Sequence, residues 1–103
     1  MFGLIVTISD RMARGNFGLM PSEVYRLMEI SAVDIAEIAV KLSQLECSEI
    51  VDECGADVYA LHSAITSSKC ENEKIYYSMR ALTLANPILD TPRWRDFLEV
   101  LKK

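Results

Sequence analysis

Few residues in this chain have side chains that could do chemistry. Histidine occurs once, at His62, and cysteine three times, at Cys47, Cys54 and Cys70. A cysteine nucleophile needs a base beside it, and usually a third group that orients the base. Cys54 and His62 stand eight residues apart, whereas side chains that meet on one helix face are three or four apart. Zinc requires a close set of thiolates and imidazoles, and the sequence contains no Cys-x-x-Cys. It also lacks a nucleophile-elbow serine, a P-loop and a dinucleotide-binding glycine pattern. The expectation is therefore no catalysis, no metal and no cofactor. An odd cysteine count at irregular spacing also argues against a disulfide framework. The three are expected as buried or half-buried thiols, with an intermolecular pairing of Cys47 kept open.

Two places offer contact chemistry instead. His62 and Ser63 stand together, followed by Ile65, Thr66 and Ser67. A polar strip of this kind can donate to phosphates or base edges, although a surface histidine without a partner fits the composition as well. Arg93, Trp94 and Arg95 combine the two residue types most enriched at interface hot spots. The competing reading packs Trp94 into the core and leaves Arg93 and Arg95 to solvent.

Charge narrows the choice. The net charge is −4. Residues 20–60 hold nine acidic residues against Arg26 and Lys41, whereas residues 69–103 carry a small positive excess. Affinity for a phosphate backbone comes mainly from Lys and Arg, so an acidic chain needs a basic partner to hold DNA. The acidic stretch can equally be a solvated helix face. No apolar run approaches the ~18 residues of a membrane span. The apolar start is cut short by Asp10 and Arg11, a poor match to a secretory signal. A cytoplasmic protein without membrane association is expected.

The elements that must position these residues read as helices throughout. Residues 2–14 carry Leu4, Ile5, Ile8 and Met12 at helical spacing, and Gly15-Asn16-Phe17-Gly18 ends the run. Pro21 suits the first turn of a second helix with Val24, Leu27 and Met28 as its apolar stripe. Ser31 is an N-cap with Asp34 three residues on, and Ile30 and Ile35 occupy hydrophobic-staple positions. Ile35, Ile38, Leu42 and Leu45 then form one seam, suited to a core or to a helix–helix interface. A short helix is expected around residues 46–55, and a fourth with Val58, Leu61, Ala64 and Ile65 on one face. Asn72 is a candidate cap for a fifth helix carrying Ile75, Tyr76, Met79 and Leu82, stopped by Asn86-Pro87. Thr91 and Pro92 open a sixth, with Trp94, Phe97, Leu98 and Leu101 inward. The fold class expected is all-α, a single compact domain of five to six short helices. A chain this short gains from dimerisation.

The segment FGLMPSEVYRLMEISAVDIAEIAVKLSQLEC (residues 17–47) resembles FlhD, the smaller subunit of the bacterial flagellar transcription activator FlhDC. The family's pattern appears as Phe17, Gly18, Leu27, Ile30, Ser31, Ile38, Ala39, Leu45 and Cys47. DVYALHSAI (residues 57–65) is similar to the family's Ile-His-x-x-Ile helix. The resemblance spans residues 12–66, with residues 68–103 lacking a counterpart. It implies an all-helical homodimer that joins a larger zinc-containing FlhC-like subunit, binds promoter DNA within that complex and recruits RNA polymerase. Similar subunits are encoded on conjugative mobile elements. The family's DNA-contacting region falls on His62, Ser63 and Ile65, and Arg93 and Arg95 at the C-terminal basic end would add to it. Leu4, Ile5, Ile8, Ile38 and Leu42 would build the dimer, with Cys47 close to it. Where the family carries a basic residue before its DNA-contacting helix, this chain has Cys54 and Gly55. A small helical chaperone or adaptor, such as those of secretion systems, is the alternative.

Overall fold

Helix-start chemistry accounts for much of the architecture. In the computed structural model, which describes residues 1–45 and 57–102, six α-helices follow one another. They are α1 (Phe2–Ala13), α2 (Pro21–Met28), α3 (Ala32–Ser43), α4 (Val58–Ser67), α5 (Glu71–Ala85) and α6 (Pro92–Leu101), with a 3₁₀ turn at Pro87–Leu89. No strand occurs among the described residues. At α3, the Ser31 hydroxyl accepts from the Asp34 N–H at 3.1 Å and the Asp34 carboxylate accepts from the Ser31 N–H at 2.9 Å. Two otherwise unpaired donors are thus satisfied reciprocally. At α6, Thr91 accepts from the Trp94 N–H at 3.2 Å and Pro92 fills the first turn, where no N–H is needed. At α4, Asp57 accepts from the Tyr59 N–H.

α5 is the central element and packs against α1, α4 and α6, while α3 packs on α1 and α6. Ile75 to Met79 are all buried, so this stretch is enclosed on every side rather than along one stripe. Around it lie Ile5, Ile8 and Met12 of α1, Leu61 and Ile65 of α4, and Trp94, Phe97 and Leu101 of α6. Trp94 meets Phe97 edge-on, ring centroids 4.9 Å apart. Its indole N–H donates to the Thr83 hydroxyl at 2.7 Å, and that hydroxyl in turn donates to the Met79 carbonyl. Trp94 therefore belongs to the core. The radius of gyration, 12.4 Å, is what one close-packed domain of this length has.

Two ion pairs tie the helices polar-side. Arg11 of α1 donates to Glu23 of α2 at 2.8 Å, and the same carboxylate oxygen accepts from the Met20 N–H at the start of α2. Lys74 of α5 reaches both Asp10 of α1 and Glu71 one turn back.

The structure departs from the sequence reading at several points. α5 begins at Glu71 with Cys70 as its N-cap, so Asn72 lies inside the first turn instead of capping it. Met28 and Val58 are exposed, because each helix buries a narrower stripe, led by Leu27 in α2 and by Leu61 and Ile65 in α4. Cys70 is disulfide-bonded, which corrects the expectation of three unpaired thiols. Disulfide pairing follows closeness in space, which irregular spacing along the chain does not reveal. The short helix expected around residues 46–55 lies outside the described residues.

Candidate functional site

α4 positions the residues expected to face DNA. Ile65 is fully buried against α5, so it is a core residue and cannot read a base edge. The His62 ring lies flat on Phe17, centroids 3.6 Å apart and 2° from parallel. This stack ties the loop after α1 to α4 and covers one face of the imidazole. Ser63 is exposed. The hydroxyls beyond it turn back onto the helix: Thr66 donates to the His62 and Ser63 carbonyls, and Ser67 to the Ser63 carbonyl at 2.8 Å. That habit is common for Ser and Thr within helices, and it occupies donors that would otherwise point outward. No lysine or arginine lies on α4.

α6 carries the other candidates. Arg93 is exposed. Arg95 makes a two-pronged contact with Asp90, at 2.8 and 3.3 Å. The Arg95 hydrogen bond holds the Asp90 carboxyl below its ordinary range. α6 packs on α3 and α5, and α4 on α5 and α1, so the two sets of candidates share α5 as a support.

The residues expected to build a dimer are placed differently as well. Ile5, Ile8 and Ile38 are buried in the chain's own core, and Leu42 is buried at its edge, where it lines a hollow. Leu4 is half-buried against the same core. Cys47 lies outside the described residues.

What the sequence reading missed is a surface groove. Leu19, Pro21, Val24, Tyr25 and Met28 form one wall, and Asn86 and Ile88 the other. It encloses about 290 Å³. Of its lining residues, Tyr25 is 66% exposed, Ile88 60% and Met28 39%. Tyr25 and Met28 are one turn apart on α2, and that spacing was the available signal. Ile88 belongs to a turn whose Asn-Pro start marks only the end of α5. A second hollow, lined by Ala39, Leu42, Ser43 and Val100, lies between α3 and α6.

No group of three metal-ligating side chains occurs among the described residues, and no described helix is long and apolar enough to cross a membrane. No protein-family model, curated protein or solved structure matches the chain.

Proposed function

We propose that this chain is a non-catalytic helical subunit of a transcription-activating complex of the FlhD kind. In this reading it self-associates, joins a larger zinc-containing FlhC-like subunit, and holds promoter DNA and contacts RNA polymerase only within that assembly. One observation carries the division of labour. The α4 surface offers no cation and has its hydroxyls bonded to its own backbone, while Arg95 is held by Asp90. Of the candidates, Ser63 and Arg93 are exposed and His62 partly so. Such a surface, on a chain of net charge −4, leaves most of the grip on DNA to a basic partner.

A gel-shift titration with and without the second subunit tests the reading. Retardation of promoter DNA is expected only when both chains are present. Tight, sequence-specific binding by the lone chain would refute the division of labour, and no binding by the pair would refute the assignment. The groove beside α2 favours a second reading, an adaptor that takes the apolar side of a client helix. Co-purification with a secreted protein, insensitive to nuclease and salt, would favour it.

A further inference from the structure

α2 buries a single one of its eight residues, Leu27. It packs chiefly on the Pro87–Leu89 turn, whereas the other five helices pack on one another. A helix of about 12–15 residues is already marginal in water by itself, so α2 lasts only while its side chains stay seated.

The backbone of residues 17–30 is bonded close to home. The Val24 N–H donates to the Met20 carbonyl, Glu29 to Tyr25 and Ile30 to Leu27. The Met20 N–H donates to the Glu23 carboxylate, and the Gly18 N–H to the Asn16 side chain. Both neighbouring helices are closed without this stretch. α1 ends with the Gly15 and Asn16 N–H groups on the Met12 and Arg11 carbonyls. α3 starts on the Ser31–Asp34 box. Parting residues 17–30 from the rest therefore breaks no backbone bond that α1 or α3 needs, and Gly15, at φ +88°, stands at the pivot.

Side chains do the holding. Leu27 and Ile30 are buried, and Leu19 and Val24 rest against the core. Arg11 meets Glu23 at 2.8 Å, and Phe17 lies flat on His62 of α4. Segments with few buried contacts and local hydrogen bonds are the ones that open ahead of global unfolding.

We propose that residues 17–30 form a strap that lifts as one unit from a folded five-helix body, with the Phe17–His62 stack as its catch. The body keeps its core, which α1, α4 and α6 build around α5. Closed, the strap masks one face of the chain's sole histidine; open, it bares that face. The contact is autoinhibitory for α4, independently of which macromolecule α4 meets. Aromatic rings favour offset or edge-on packing over full face-to-face overlap, so this catch is suited to release.

Hydrogen exchange of the full chain, read by mass spectrometry of peptides from α2 and α5, tests this. The α2 amides are expected to exchange together, more than about tenfold faster than those of residues 75–82. Phe17→Leu and His62→Ala should each speed α2 exchange several-fold and leave α5 protection nearly unchanged. Combining them should add little, because either one removes the same contact. In the proton NMR spectrum, the imidazole C–H signals of the wild type should lie upfield under the Phe17 ring current and move back in Phe17→Leu. α2 amides that exchange only together with those of α5 would overturn the independent opening. Additive effects of the two substitutions, or none, would overturn the catch. If Phe17→Leu loses helicity, His62→Ala still decides, since it cuts the same contact from the α4 side.

Discussion

At the scale of single residues, Trp94 and Thr83 show what spacing conveys and what it hides. The run Arg93-Trp94-Arg95 is compatible with an interface and with a core, since a helix places neighbours on different sides. The structure decides for the core, through a hydroxyl eleven residues back in the chain. That partner sits on another helix and no local rule points to it. Removing it leaves a buried indole N–H without an acceptor, at a cost of about 1–3 kcal/mol. Thr83→Val should therefore lower the melting temperature by roughly 5 °C or more, whereas Thr83→Ser should keep most of the stability. Calorimetry of the two variants checks this. His62 is a related case. Its type suggested contact with DNA, yet its ring lies against Phe17, a contact across 45 residues of sequence that helical periodicity cannot supply.

Helix boundaries were the most legible feature, because their causes lie within four residues. The Ser31 and Thr91 caps, Pro21 and Pro92 in first turns and the Gly15 break all stand where the sequence put them. Gly15 adopts φ +88°, a backbone conformation that costs glycine little. Ser31→Ala should cost about 1 kcal/mol, with Ser31→Asp retaining most of the effect; urea denaturation reads both. Two helix starts also carry a pH signature. The Arg11 hydrogen bond holds Glu23 below its ordinary value of 4.5, and hydrogen bonds from Ser31 hold Asp34 below its 3.8. Both carboxylates release their protons more readily folded than unfolded. Their stabilisation is complete above the ordinary values and is lost as pH falls through the lowered ones. Unfolding free energy should thus drop below about pH 4.5, and Glu23→Gln should flatten part of that slope. α5 was misplaced at its start because Asn72 has a capping side chain, yet the helix begins at Glu71, with Cys70 as its N-cap and no side-chain cap hydrogen bond.

For the whole molecule, the helical class followed from periodicity, whereas the surfaces did not. An apolar seam is equally good as core or interface until the other helices are placed, and here the core absorbed α1 and α3. The outward residues of α2 formed the groove instead. Lys74 links α5 to α1 in the same long-range manner. Burial lowers its pKa, and hydrogen bonds to Asp10 and Glu71 outweigh that and leave it raised. Its contribution is full below the ordinary 10.5 and fades as pH rises through the raised value. The Cys70 disulfide predicts that this residue resists alkylation under non-reducing conditions and takes the label after reduction, which mass spectrometry of its peptide checks. A disulfide typically stabilises by about 2–4 kcal/mol, so reductant should lower the melting temperature. Trp94 has a practical consequence as well. It is the sole tryptophan and already dry, so its emission follows the integrity of the interior and is blind to anything that merely settles on the outside. A partner that shifts that light has rearranged the helices; one that binds and leaves the spectrum alone has taken the fold as it stands.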